Sequence, residues 1–193
     1  MVVGVLSDSH ISDKVDSLHP ALIPALRASQ VNLILHAGDV CVPKVLDELG
    51  KIAPVKAVRG NRDWFLTGNL PWVQTFDLEG VQVALMHGHG GWINYIRDKI
   101  TYIQNGYQFE RYQKQVLQMV PEAKLIIFGH THFPENVLLD GRLVFNPGSC
   151  AMAIEEDCNP TFGLLRIEAG KPVVGEIKEL VGYRLDNRRW VKQ

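Results

Sequence analysis

Residue types that bind metal ions stand in five short clusters along this chain. The clusters are Ser7-Asp8-Ser9-His10, His36-Ala37-Gly38-Asp39, Arg59-Gly60-Asn61-Arg62-Asp63, His87-Gly88-His89-Gly90 and Gly129-His130-Thr131-His132. Their carboxylate, imidazole and amide groups suit Mn, Fe, Zn or Co better than Mg or Ca, which prefer oxygen ligands. A single histidine at such a position is more often structural, but the joint pattern is hard to obtain from packing alone. The sequence therefore predicts a site for transition-metal ions.

Short apolar runs precede the clusters and predict the strands that position them. The runs are Val2–Leu6, Leu33–Leu35, Val55–Val58, Val81–Met86 and Leu125–Phe128. Runs of this length that are rich in Val, Ile and Leu and end at turn-forming residues are typical of buried strands. Ligands of open α/β sheets bind beyond the carboxyl ends of the strands. We therefore expect five strands to deliver these clusters to one edge and one site.

The spacing within the clusters indicates how ions could be shared. Alternate residues of an extended chain point to the same side, so Asp8 and His10 could reach one ion, and His130 and His132 repeat this arrangement. Asp39 could give one carboxylate oxygen to each of two cations. Two further histidines are interpreted as structural: we expect His19 on the surface, and His36 in the core or supporting a ligand.

The remaining pattern predicts α/β architecture in a single domain. Apolar residues at helical spacing predict helices around Leu18–Leu26 and Val45–Leu49. Three hairpins are predicted, and they pair Thr75–Leu78 with Val81–Leu85, Val137–Leu139 with Leu143–Phe145, and Phe162–Ile167 with Val173–Ile177. The second has Asp140-Gly141 at its turn, as a type I′ turn favours.

An aromatic-rich segment over residues 90–120 predicts two more helices. The first places Trp92, Ile96, Ile100 and Ile103 on one stripe, and the second runs through Tyr112, Val116, Leu117 and Val120. Packing of these helices on the body of the protein is the favoured interpretation, because apolar stripes usually face a core. A lid or substrate wall over the site and a contact in a homo-oligomer are the alternatives.

Composition excludes several classes of protein. The chain has 193 residues, 46% hydrophobic and 21% charged, with a net charge of −1, so it has no global basic field for nucleic acid. No apolar run approaches the roughly 20 residues that span a bilayer. Cys41, Cys150 and Cys158 form no CxxC pair, which favours free thiols and a cytoplasmic protein. The basic tail that contains Trp190 is interpreted as a solvated terminus.

In this order, the motifs resemble those of the calcineurin-like metallophosphoesterases. These motifs are Asp8-x-His10, Gly38-Asp39, Gly60-Asn61-x-Asp63, His87-Gly88-His89 and Gly129-His130-x-His132. Together with Asn146-Pro147-Gly148-Ser149, they are similar to the compact bacterial and archaeal phosphodiesterases of that superfamily, a group that includes the retromer scaffold subunit. The resemblance covers roughly Val2 to Ser149 and implies a four-layer α/β/β/α sandwich of two mixed sheets. We expect residues 1–193 to form one such domain. Residues 90–120 are expected to be an added helical segment, because the stretch between the His87 and His130 motifs is longer than in the most compact relatives.

The resemblance also implies a dinuclear centre of Mn, Fe, Zn, Ni or Co. One ion would be held by Asp8, His10, Asp39 and His132, and the other by Asp39, Asn61, His87 and His130, with Asp39 bridging. In such a centre a metal-bridging hydroxide attacks the phosphorus of a phosphate ester. The implied substrate is a phosphate-ester small molecule or a nucleotide.

One motif departs from the superfamily. The usual Gly-Asn-His-Asp sequence is here Gly60-Asn61-Arg62-Asp63, so an arginine replaces the histidine that would contact phosphate or protonate the leaving group. Arginine binds phosphate but cannot act as a general acid near pH 7. Arg62, Asp63 and His89 are the candidate catalytic residues, with His89 or water as the acid, although Arg62 could equally be a solvated loop charge.

Three functions are compatible with these motifs. The first is a phosphodiesterase, and the second is a phosphomonoesterase or nucleotide pyrophosphohydrolase with the same metals and another pocket shape. The third is a non-catalytic scaffold that binds partner proteins. Because each expected ligand position is filled, catalysis is the favoured interpretation.

Overall fold

Two five-stranded sheets form the centre of the structure. The computed structural model describes residues 1–63, 70–90, 101, 104, 106–153 and 158–193. Within these ranges the strands are β1 (Val2–Leu6), β2 (Leu33–His36), β3 (Val55–Ala57), β4 (Val73–Leu78), β5 (Val81–Met86), β6 (Leu125–Ile127), β7 (Glu135–Leu139), β8 (Arg142–Asn146), β9 (Thr161–Arg166), β10 (Val174–Glu179), β11 (Tyr183–Asp186) and β12 (Arg189–Lys192). The helices that are described over their whole length are α1 (Leu22–Ala28), α2 (Pro43–Gly50) and α3 (Phe109–Met119). The first sheet has the order β10-β9-β1-β2-β3, and the second has the order β4-β5-β6-β8-β7.

Each sheet has a parallel centre and antiparallel additions. In the first sheet β1, β2 and β3 are parallel, and β9 runs antiparallel to β1. In the second sheet β5, β6 and β8 are parallel, and β4 and β7 are antiparallel to their neighbours. All three predicted hairpins form, and Asp140 and Gly141 have the positive φ angles of 50° and 72° that a type I′ turn requires.

Strand alternation divides the core into three apolar layers. Val3 and Val5 of β1 face the second sheet, where they meet Val83 and Leu85, whereas Leu6 faces outward. The outer face of the first sheet packs against α1 and α2, and that of the second packs against Tyr112 and Val116 of α3. The predicted four-layer sandwich of two mixed sheets is confirmed.

The expectation that one sheet edge delivers all the clusters is wrong. β1, β2 and β3 lie in the first sheet, whereas β5 and β6 lie in the second. Because both faces of each sheet are buried, the apolar composition of a strand does not indicate which sheet it joins. The site forms where the carboxyl ends of the two sheets meet.

The C-terminal hairpin of β11 and β12 overturns two expectations. Trp190 is not in a solvated tail: it packs against the core layer beside α1, and its Nε1 donates a hydrogen bond to Ser17 O at 2.9 Å. Its ring lies 4.5 Å from that of His19, which is 1% exposed rather than on the surface. Local periodicity could not show this, since the covering residues come from the distant end of the chain.

The second helix of the aromatic segment is confirmed as α3. The stripe of Trp92, Ile96, Ile100 and Ile103 lies outside the described residues. None of the helices in the described ranges is both long enough and apolar enough to cross a membrane.

Candidate metal centre

Backbone geometry at the strand ends is unusual. Positive φ angles occur at Asp8 (54°), His10 (46°), Asp39 (54°), His130 (70°) and His132 (63°). This left-handed region is uncommon for residues other than glycine, and such strain tends to concentrate at functional sites. The alternation argument for the Asp-x-His and His-x-His pairs is therefore wrong in its mechanism, because these residues are not in extended chain.

The first group of side chains surrounds the carboxylate of Asp8. Its Oδ1 lies 3.4 Å from His132 Nε2 and 3.7 Å from His10 Nε2, and these two nitrogens are 3.2 Å apart. Asp8 Oδ2 accepts hydrogen bonds from the Ser7 hydroxyl and from His130 N. Oδ1, in contrast, is buried and has no hydrogen-bond partner, so it is the oxygen available to a cation.

The second group is built around His87. Its Nε2 lies 2.9 Å from Asn61 Oδ1 and 3.5 Å from Asp39 Oδ1. Its Nδ1 donates to Ala37 O at 2.8 Å, and its Nε2 donates to Asn61 Oδ1, because both oxygens only accept. The nearby carboxylates of Asp39 and Asp8 outweigh burial and raise the pKa of His87. A bound cation would replace the proton on Nε2, while the Nδ1 contact would still orient the ring. The ring of His130 is 5.1 Å from that of His87.

Asp39 lies between the two groups. Its Oδ2 is 3.9 Å from His10 Nε2, whereas its Oδ1 is on the side of His87 and also accepts a hydrogen bond from Arg62 N at 2.7 Å. Asp63 holds this region in place, because its Oδ2 accepts from Asp39 N and Gly60 N, and its Oδ1 from Cys41 N. With three backbone donors, the Asp63 carboxylate positions the loop rather than facing the cleft.

Two motif glycines are required by close approach. A Cβ at Gly60 would lie 2.1 Å from Asp39 Oδ1, and a Cβ at Gly129 would lie 1.8 Å from Ser7 Oγ. Both distances are far below van der Waals contact. Any side chain at either position would therefore displace a carboxylate of the cluster or the serine that supports one.

Burial determines the charge state of the cluster. Burial lowers the pKa of His10 to about 4 and that of His130 well below its usual value. Both imidazoles are therefore neutral near pH 7, and each keeps one nitrogen lone pair. Burial raises the pKa of Asp39 to about 6, and His87 opposes that shift. Burial would also raise the pKa of Asp8, but His132, His87 and His10 together outweigh this effect and lower the pKa below its usual range.

These observations fit divalent cations. The cluster contains buried carboxylates that lie beside histidines, and Asp8 Oδ1 among them has no hydrogen-bond partner. Triads of Asp8, His10 and His132, and of Asp8, Asp39 and His87, have ligand atoms within 4.8 Å of one another. The mixed oxygen and nitrogen donors are those expected for first-row transition ions.

The other two candidate residues lie at the rim. Arg62 has a side chain that is 39% exposed, and its Nη1 is 3.9 Å from Asp13 Oδ2. The His89 ring lies 5.4 Å from that of His87 and 6.1 Å from that of His130. Burial, with His87 nearby, lowers the pKa of His89 to about 4, so His89 is neutral near pH 7.

Sequence reasoning missed Asp13. Its Oδ2 is 3.4 Å from His10 Nδ1, on the side of the imidazole opposite the cluster. A carboxylate in this position orients a ligating histidine and makes it more basic. Asp13 follows no strand and belongs to no motif, so no signal in the sequence marked it. His36, in contrast, is buried as expected, with Nε2 at 3.1 Å from Ser9 Oγ.

Helix α3 touches the site from the outer layer. Gln115 Nε2 donates a hydrogen bond to Gly88 O at 2.7 Å, and the Tyr112 ring lies 6.3 Å from that of His130. Tyr112 and Val116 are buried against the second sheet. For α3, these contacts match the packing interpretation of the aromatic segment.

Comparison with known proteins identifies the family. Residues 1–170 match the calcineurin-like phosphoesterase superfamily domain. A probable metallophosphoesterase from Methanothermobacter thermautotrophicus is 35% identical over 171 residues, which cover 89% of this chain and 88% of that protein.

Solved structures share the fold. Vacuolar protein sorting 29 from Cryptosporidium parvum superposes with a TM-score of 0.72 at 21% identity, covering 98% of this chain and 94% of that one. A novel archaeal phosphodiesterase gives a TM-score of 0.57 at 20% identity, with 92% and 100% covered. These two similarities concern the fold alone. The matched domain and the 35% identical relative show that the chain belongs to the calcineurin-like phosphoesterase superfamily.

Proposed function

We propose that this protein is a metal-dependent phosphodiesterase with two ions at one centre. The observation that carries the proposal is the position of Asp39, whose two oxygens face different histidines at 3.9 and 3.5 Å. A carboxylate in this position can join two cations. The ligands would be Asp8, His10, Asp39 and His132 for one ion, and Asp39, Asn61, His87 and His130 for the other. The proposed ions are Mn, Fe, Zn, Ni or Co.

Ligand residues, a positioning carboxylate and an arginine would have separate roles in catalysis. Bound ions would supply Lewis-acid activation of the phosphoryl group and of the attacking water. His10 and His130, whose pKa values burial lowers, keep nitrogen lone pairs available to a cation. Asp63 holds the Asp39 loop through three backbone donors. Arg62 is exposed enough to reach a phosphate oxygen and neutralise its charge.

The leaving group receives little help from these side chains. Arg62 stays protonated near pH 7 and cannot release a proton. His89 is neutral there, since its pKa is lowered to about 4. We therefore infer a preference for esters whose leaving group departs without full protonation. The phosphodiesterase among the structures of the same fold supports diesters as the substrate class.

The test compares bis-p-nitrophenyl phosphate with p-nitrophenyl phosphate. Metal-stripped protein is assayed before and after Mn, Fe, Zn, Ni or Co is restored. Metal-dependent turnover that favours the diester is expected. Preference for the monoester would instead establish a phosphomonoesterase. Bound metal with no turnover of any diester, monoester or dinucleoside polyphosphate would favour the non-catalytic scaffold.

We also propose a cytoplasmic location, which the three free cysteines support. Fractionation of the source cells checks it, and recovery of the protein outside the cytosol would contradict it.

A further inference from the structure

A mainly apolar cavity opens beside the candidate metal centre. Its volume is about 220 Å³, and the described residues that form its walls include Trp72, Val73, Met86, His87, His89 and Met119. His87 belongs to both places, because its Nε2 is 2.9 Å from Asn61 Oδ1 in the metal cluster. A phosphate ester held at the metals would therefore have one substituent within reach of this cavity.

The cavity presents an exposed aromatic surface. Trp72 is 51% exposed, so much of its indole surface is accessible to a ligand. The Arg59 guanidinium lies 5.0 Å from the centre of the indole ring and holds it through a cation–π contact. Trp72 is thus positioned before any ligand arrives, which lowers the entropic cost of stacking another ring on it.

One polar group in the wall lacks a partner. His89 is 8% exposed, and its Nδ1 is buried without a hydrogen bond. Its ring lies 5.2 Å from that of Trp72 on one side and 5.4 Å from that of His87 on the other. The imidazole of His89 forms part of the cavity wall, so it is a polar group that the polar edge of a ligand could meet there.

The size of the cavity limits what it can hold. Sites for drug-sized ligands range from about 300 to 1,000 Å³, so 220 Å³ admits one ring system rather than a whole dinucleotide. The occupant must be flat to stack on Trp72 and must carry a polar edge to satisfy His89. A nucleobase meets both requirements, whereas an alkyl group meets neither and a plain phenyl ring meets only the first.

We propose that the Trp72–His89 cavity is a nucleobase subsite, which makes nucleoside phosphodiesters the substrate class of the metal centre. This inference rests on the proposed function and assigns its specificity. The base stacks on Trp72 and its polar edge meets the imidazole of His89, while the phosphodiester lies toward His87.

The kinetic test uses three diesters with the same p-nitrophenolate leaving group. Their second substituents are thymidine 5′, phenyl and methyl, so the chemistry at phosphorus is matched and only the cavity occupant differs. Base stacking contributes about 1–3 kcal/mol, so Trp72→Ala should lower kcat/KM for the thymidine ester about 5- to 150-fold. The methyl ester should be unaffected, and Trp72→Phe should retain most of the thymidine preference.

The control variant is Leu138→Ala, which removes another exposed apolar side chain on β7, 71% exposed. It should leave all three rates unchanged. An equal loss on all three esters with Trp72→Ala would show that the cavity holds the leaving group, and an equal loss on the thymidine and phenyl esters would show a ring subsite without base recognition. Either result would overturn the proposal.

A binding measurement keeps the inference testable if no ester is hydrolysed. The indole N–H signal of Trp72 is identified in NMR spectra by its absence in Trp72→Phe. Thymidine 5′-monophosphate should shift it, and 2-deoxyribose 5-phosphate should not. If only the proposed function is wrong, no ester is hydrolysed but thymidine 5′-monophosphate still shifts the indole signal. If the signal does not shift, or shifts equally with both compounds, the base subsite itself is refuted.

Discussion

Replacing Gly60 with alanine should damage the metal centre although no proposed ligand residue is replaced. The new Cβ would lie 2.1 Å from Asp39 Oδ1 and 2.3 Å from Asp39 N. Real Cβ atoms essentially never approach a neighbour closer than 3.0 Å. The Asp39 loop must therefore retreat by about 0.9 Å, which moves the carboxylate proposed to join the two ions.

The size of the effect follows from that displacement. A misplacement of about 1 Å at a reacting centre can cost on the order of 100-fold in rate, and overpacking costs about 1–3 kcal/mol of stability. For a chain of this size each kcal/mol lowers the Tm by about 2–4 °C. We expect Gly60→Ala to lose about 100-fold in metal-dependent diester hydrolysis, to bind less metal, and to melt several degrees lower.

Gly50→Ala is the matched control. Gly50 is the last residue of α2, and an added Cβ there meets nothing within 4 Å. This variant should keep wild-type activity and metal content, and its Tm should stay the same or rise slightly, because alanine is favoured over glycine in a helix. If Gly60→Ala also kept all three, the close packing of the Gly60 backbone on Asp39 would be wrong, and with it the geometry assigned to the centre.

Three further predictions concern the rim and the C-terminal hairpin. Arg62→His should raise turnover of alkyl diesters relative to p-nitrophenyl diesters, because histidine can donate a proton; an unchanged ratio would place Arg62 outside the site. Asp13→Asn should weaken metal binding, measured by chelator competition, about 10- to 100-fold, because Asp13 lies beside His10 Nδ1. Asp47 is exposed, and Asp47→Asn should leave the metal affinity unchanged. Equal metal affinities of the two variants would contradict a role for the Asp13–His10 contact. Trp190→Ala should lower the free energy of unfolding, measured by urea titration, by about 1–3 kcal/mol, because Trp190 packs on the core. Arg189→Ala, whose native side chain is 82% exposed, should lower it by roughly 0.5 kcal/mol or less. Similar losses in the two variants would contradict the packing of the hairpin.

Residue type and local order were enough to recognise two strands of the second sheet and the polar residues that follow them. Val81–Met86 and Leu125–Ile127 could be recognised as strands because several apolar residues in succession indicate a buried strand, and the polar residues after them mark its end. His87 and His130 follow these strands, and the structure brings their rings to 5.1 Å. The positions of these residues after strands, and the order of the motifs, both predicted that they would meet.

Long-range pairing was less accessible. The hairpin prediction paired β5 with β4, but nothing in the β5 sequence indicates that its other neighbour is β6 rather than β3, because all these strands need similar apolar side chains. His19 has no local feature that reveals the hairpin covering it. These contacts depend on where distant segments dock, which a local pattern does not encode.

Local backbone conformation was the third difficulty. Asp8 and His10 are two residues apart, a spacing that suggests extended chain, yet both adopt positive φ. The strain is offset by contacts made elsewhere, such as Asp8 N donating to Gly38 O and His10 N donating to Asp39 O. Only the assembled loops show why these residues take this conformation.

The most direct measurement is the number of metal ions bound per chain, by native mass spectrometry, in wild-type protein and in Asp39→Ala. Asp47→Ala serves as the control, and circular dichroism confirms that each variant is folded. Because Asp39 is proposed to join both ions, we expect two ions in the wild type and in Asp47→Ala, and loss of both in Asp39→Ala. A folded Asp39→Ala that still binds two ions would contradict a dinuclear centre bridged by this carboxylate.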